Sequence, residues 1–141
     1  MTEPSSEQLL LLLVEDEPLM RIANEDTLTE QGFHVIASAD GHQGMRELEH
    51  DASRFSVVVT DVRLGSGPSG WDIGHRARAL LPAMPIVYTT AESAAEWAAN
   101  GVPGSILIEK PFVPAQLVTA IATLLNQSNS FNPHELGPTD S

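Results

Sequence analysis

The sequence predicts an α/β domain built on a doubly wound, five-stranded parallel sheet. Three observations lead there. Short runs of Val, Ile and Leu at 9–14, 57–59, 86–88 and 106–108 read as strands buried on both faces. Segments of helical character separate the strands, and strands alternating with helices imply parallel pairing through right-handed crossovers. The four runs also end in charged or hydroxyl residues: Glu15-Asp16-Glu17, Thr60-Asp61, Thr89-Thr90 and Glu109-Lys110. Parallel strands share a direction, so these tips meet at the carboxyl edge, where open α/β sheets place their sites.

Each element has local signals. Residues 1–7 are polar and are expected to form a flexible N-terminus. A strand follows over about 9–14. Pro18 suits the first turn of a helix, where its missing N–H costs nothing, and Gly32 stops that helix after about Gln31. Met20, Ala23, Thr27, Leu28 and Gln31 are the expected inward face. Residues 34–38 form the second strand, Asp40-Gly41 a turn, and about 43–50 a helix. The third strand covers 57–60. A loop rich in Gly, Ser and Pro at 65–70 leads to a helix over about 71–81. Pro82 and Pro85 end that helix and introduce the fourth strand, 86–89. A short alanine-rich helix spans 93–100 with Gly101 as its cap, and the fifth strand covers 105–108. Pro114 opens the last helix, where Leu117, Ala120, Ile121 and Leu124 fall at i, i+3, i+4 and i+7. The sum is a (βα)5 domain of the flavodoxin-like type over residues 8–126, with strand order 2-1-3-4-5. Residues 127–141 carry no apolar period and are expected to be a disordered tail.

A chain of 141 residues suits one such domain and its core. Seven Lys and Arg against nineteen Asp and Glu give a net charge of −12. Phosphate backbones demand clustered cations, so nucleic acid is not a direct partner. The chain has no cysteine, which excludes disulfides, thiolate metal sites and a thiol nucleophile. The run at 9–14 is too short to span a membrane, and Glu3, Pro4 and Glu7 before it do not make a signal peptide. A cytoplasmic protein is the default expectation.

Adjacent carboxylates at a strand tip make a hard oxygen site for Mg²⁺, although acids also favour the first turn of a helix. An aspartate such as Asp61, ending the most hydrophobic central strand, can accept a phosphoryl group as an acyl phosphate. It then needs a cation on the phosphate oxygens and donors around the transferred group. Glu15 and Asp16 supply a metal site, Lys110 a point charge for phosphate and Thr90 a hydroxyl donor. Taken singly, Asp61 reads as a turn acid, Lys110 as a surface lysine and Thr90 as a strand residue; their convergence is the signal. His34, His42, His50, His75 and His134 are dispersed, without ligand spacing, and read as structural or surface residues.

Val14-Glu15-Asp16-Glu17, Val58-Val59-Thr60-Asp61, Thr90-Ala91 and Lys110-Pro111-Phe112 resemble the receiver domain of two-component response regulators, in the family's order over about 8–126. The resemblance implies a domain that takes a phosphoryl group from a phosphohistidine on a sensor histidine kinase or a histidine phosphotransfer protein. Asp61 matches the phosphoacceptor. Asp16 and Asp61 match direct Mg²⁺ ligands, Glu15 the acid that holds the metal through water, and the carbonyl of Arg63 the third protein ligand. Thr90 matches the switch hydroxyl and Lys110 the family's lysine, with a cis Lys110-Pro111 bond. Such a domain catalyses only its own phosphorylation and dephosphorylation, and a single-domain regulator acting on a downstream protein is expected.

The chain departs from the pattern at three places. Leu107 stands where the family usually carries an aromatic switch residue. Gly65 replaces a common proline, and Gly70 lies nine residues after Asp61 rather than eight, so the loop is one residue longer. The last helix has no charge from 113 to 125. Its outer residues Val118, Ala122 and Leu125, joined by Trp97, are a candidate partner or homodimer surface. Three alternatives stand beside this reading. An aspartate-nucleophile phosphatase needs an acid where Arg63 stands. A flavodoxin-like cofactor binder needs a phosphate loop where Glu15-Asp16-Glu17 stands. A non-phosphorylated adaptor would retain the fold alone.

Overall fold

A computed structural model describes residues 8–91 and 94–130; the expected flexible N-terminus and the end of the tail lie outside them. The order is β1 (Leu10–Val14), α1 (Pro18–Glu30), β2 (His34–Ser38), α2 (Gly41–Asp51), a 3₁₀ turn (Ala52–Arg54), β3 (Val57–Asp61), α3 (Gly70–Leu80), β4 (Ile86–Thr90), α4 (Ala95–Asn100), β5 (Ile106–Glu109) and α5 (Pro114–Ser130). All five strands pair in parallel in the order β2-β1-β3-β4-β5, as the alternation requires. Helix α5 runs four residues past the boundary expected at 126, so 127–130 belong to the helix and not to a tail.

Side chains alternate across each strand and divide the core in two. Leu12, Val14, Val58, Ile86 and Tyr88 pack on one face with Leu48 of α2 and Ile73 and Ala77 of α3. Leu11, Leu13, Val57, Val59, Val87 and Ile108 pack on the other with Leu28 of α1 and Leu117, Ala120, Ile121 and Leu124 of α5. Strands β3 and β4 are buried along their whole length, the condition of central parallel strands.

The inward face of α1 differs from expectation. Asn24 and Leu28 are buried, whereas Ala23 and Gln31 are exposed. Leu28 anchors the helix, and the residue one turn before it on the same face is Asn24, with Met20 a further turn back. Ala23 and Gln31 fall to either side of that row.

The order 2-1-3 means that the chain leaves β1 in one direction and reaches β3 in the other. The carboxyl ends of β1 and β3 therefore flank the crevice at the topological switch point. No helix among the described residues is long and apolar enough to cross a membrane.

Candidate functional site

Glu15 follows the last residue of β1 and is 1% exposed; Asp61 ends β3 and is 7% exposed. The two strands are in register, Val14 facing Thr60, which sets the acids side by side. Asp16 lies exposed at the mouth of the crevice. One carboxylate oxygen from each of Glu15, Asp16 and Asp61 lies within 4.8 Å of the others. Lys110 reaches in from the end of β5, with Nζ 3.2 Å from Glu15 Oε1 and 3.1 Å from Asp61 Oδ2. The lysine is 18% exposed, so this is a largely desolvated cluster rather than a surface pair.

The electrostatics are lopsided. Burial first, and then the Asp61 charge, push the Glu15 carboxyl up to about 7, against the pull of Lys110. Burial works against the Lys110 ammonium, but Asp61 and Glu15 outweigh it and hold the lysine above its usual range. Three carboxylates thus face one ammonium in a site lined by hard oxygen donors, and a divalent cation of the Mg²⁺ type fits that donor set. Glu15, Asp16 and Asp61 are the side chains placed to hold it.

Glu17 does different work. Its carboxylate accepts the Met20 N–H at 2.7 Å and caps α1, the ordinary role of an acid at a helix start. Thr90 is buried at the end of β4, and its carbonyl accepts the Lys110 N–H at 2.8 Å, which ties the two strand ends together. Arg63, two residues beyond Asp61, is exposed between the buried Val62 and Leu64. The Lys110-Pro111 bond is cis, as expected.

Gly70 earns its place by proximity. A Cβ there would fall 2.1 Å from the Asp61 carbonyl oxygen, so only glycine lets α3 start against the end of β3. The longer loop thus still delivers a glycine to Asp61. Sequence reading missed Arg21, whose Nη1 donates to the Glu15 carbonyl at 3.0 Å. Its signal was positional: side chains in the first turn of a helix lean back toward the N-terminus, here toward the acids.

The outer residues of α5 do not form one surface with Trp97. A groove of about 1030 Å³ runs between α4, β5 and α5, lined by Trp97, Leu107, Lys110, Gln116 and Thr119 among others. Val118, Ala122 and Leu125 line a separate groove of about 640 Å³ with Leu9, Phe33 and Pro85, at the amino ends of the strands. Residues 118 and 119 are neighbours in sequence but lie about 100° apart around a helix, so they turn to different flanks.

The family model described as "Response regulator receiver domain" matches residues 11–122. The chain belongs to that family. It is a receiver domain of two-component response regulators. A response regulator receiver protein from Sinorhizobium medicae WSM419 is 45% identical, superposes with a TM-score of 0.82, and is covered over 97% of its chain by 86% of this one. The receiver domain of a sensor histidine kinase from Pseudomonas aeruginosa PAO1 is 26% identical with a TM-score of 0.73, 84% of this chain covering 98% of it. That structure carries a magnesium ion coordinated in the active-site cleft. Response regulator RppA of Synechocystis is 28% identical over 128 residues, which are 89% of this receiver and 54% of that protein. The receiver spans about half the length of the curated relatives it matches.

Proposed function

We propose that Asp61 is the phosphoacceptor of this receiver and that its modification switches protein contacts. The observation that carries this is the Asp61 carboxylate, set at the end of a fully buried strand, with Lys110 Nζ at 3.1 Å and two further acids within metal-sharing distance. The donor is a phosphohistidine on a sensor histidine kinase or a histidine phosphotransfer protein. An Asp61 oxygen attacks phosphorus, the P–N bond to the donor imidazole breaks, and the nitrogen leaves with its electron pair and takes up a proton. Asp16, Asp61 and the Arg63 carbonyl, with Glu15 through water, would hold Mg²⁺, which would supply charge neutralisation to the phosphoryl oxygens.

The chain's own groups supply the rest. Lys110 offers a fixed positive charge that moves from its carboxylate partners to the incoming phosphoryl oxygens. Thr90 donates its hydroxyl to the same group and draws the end of β4 toward it. The product is the receiver's own phosphorylated form, so the only reactions catalysed are its own phosphorylation and dephosphorylation. The partner downstream is a protein that distinguishes the two forms.

Incubation with Mg²⁺ and acetyl phosphate, followed by intact mass, tests the reading. Wild type is expected to gain one phosphoryl group and Asp61→Asn none. A wild type that gains nothing from acetyl phosphate or from any phosphohistidine donor overturns the reading and leaves the non-phosphorylated adaptor.

A further inference from the structure

We propose that Tyr88 couples the end of β4 that carries Thr90 to Trp97 in the wall of the α4–β5–α5 groove, doing the work of the aromatic ring that position 107 lacks. The inference rests on Asp61 being the phosphoacceptor. Tyr88 and Thr90 are two residues apart on β4, so they face the same side of the sheet. Leu107 is the residue of β5 in register with Tyr88, and it lines the groove. The ring missing from β5 is thus present one strand inward.

Tyr88 is fully buried and held on three sides. Its ring lies 4.7 Å from that of Trp71, tilted by 60°. Above its hydroxyl is α3 at Gly74, where a Cβ would fall 2.0 Å from the phenol oxygen, so the ring cannot swing that way. The hydroxyl accepts the Val102 N–H at 3.2 Å. From Val102 the bonds continue outward: Ser105 Oγ donates to the Val102 carbonyl at 2.6 Å, and Trp97 Nε1 donates to Ser105 Oγ at 2.9 Å. An unbroken hydrogen-bonded path therefore joins β4 to an indole in the groove wall.

The far end of this path is lightly anchored. Helix α4 spans only Ala95–Asn100, buries no residue and has no side-chain cap at its start. Trp97 is its half-buried anchor, packed against the core. A short helix held by one half-buried indole and by His75 Nε2 donating to the Asn100 carbonyl at 2.8 Å is a low-stability unit that two packings can share. A ring with no room to rotate transmits a shift of β4 instead of absorbing it. The groove wall then reports the state of Asp61 through Trp97.

Amide hydrogen exchange with Mg²⁺ and beryllofluoride, an unreactive mimic of a phosphoryl group on a carboxylate, reads the coupling. Wild type is expected to change protection both at the strand tips and across 94–105. Tyr88→Phe keeps the ring and removes the hydroxyl; it should keep the response at the tips and lose it across 94–105. Ser105→Ala leaves Tyr88 intact and should lose the response at Trp97 while keeping it at Val102, which holds the test open if Tyr88→Phe folds poorly. Either variant responding like wild type over 94–105 overturns the coupling, as does a wild-type response confined to the tips. No mimic binding and no phosphoryl gain in wild type overturns the phosphoacceptor reading instead.

Discussion

Lys110 lies between Glu15 and Asp61, two carboxylates that repel each other in a crevice largely shielded from water. The consequence at the scale of single residues is a dependence on pH. The Glu15 carboxyl is raised from 4.5 to about 7 in the folded protein, chiefly by burial and then by the Asp61 charge. Between those values the folded state holds a proton that the unfolded state has released. Stability from this group is therefore full below about 4.5 and is lost as pH rises toward 7. In EDTA, the thermal midpoint of wild type relative to Glu15→Gln should fall from pH 5 to pH 7.5. Saturating Mg²⁺ favours the ionised acid and should flatten or reverse that trend. Differential scanning fluorimetry across the pH series gives the answer, and a flat difference in EDTA would show that Glu15 is not strained by its neighbours.

At the scale of elements, what the sequence made legible followed from period and punctuation. The four runs rich in Val, Ile and Leu gave β1, β3, β4 and β5, because the interior of a parallel sheet admits little else. Pro18 and Pro114 marked helix starts, since a proline there forfeits no bond. The start of α3 shows the same chemistry in finer detail. Ser69 Oγ accepts the Asp72 N–H at 3.2 Å while the Asp72 carboxylate accepts the Ser69 N–H at 2.9 Å, a reciprocal cap that sets Gly70 against Asp61. Ser69→Ala should cost about 1 kcal/mol in urea unfolding and slow phosphoryl uptake on Asp61, because α3 frays where it abuts the acceptor. Unchanged stability and uptake would mean that Asp72 and water hold the helix start unaided. What sequence could not give was whatever depends on angle. Asn24 is buried because Leu28 is, and Val118 and Thr119 part company because 100° separates them. Arg21 is hard to find for a related reason: its partner is a main-chain carbonyl, so only its place in the first turn of α1 points to it.

At the scale of the whole molecule, two grooves among the described residues differ in their chemistry. The groove beside Lys110 is joined to β4 by the hydrogen bonds that run from Trp97 through Ser105 and Val102 to Tyr88, whereas the groove of Val118, Ala122 and Leu125 opens at the amino ends of the strands, away from the acids. If the receiver pairs with a second copy through the latter, two chains of charge −12 must approach each other. Their repulsion is screened within about 8 Å at physiological ionic strength, so apolar contact in the groove has to supply the attraction and added salt should strengthen pairing. Leu125 packs against the core and is a poor probe, because a charge there would unsettle the fold itself. Ala122 is exposed, so a substitution there leaves the core intact. Wild type is expected to sediment faster with rising concentration and Ala122→Glu to remain monomeric. Ala122→Lys separates the causes: it makes the chain less negative, so repulsion predicts tighter pairing, whereas a buried apolar contact predicts that pairing is lost as completely as with glutamate. Equal sedimentation of wild type and Ala122→Lys at every concentration would remove this groove from the assembly and leave the α4–β5–α5 face as the surface on which contacts switch.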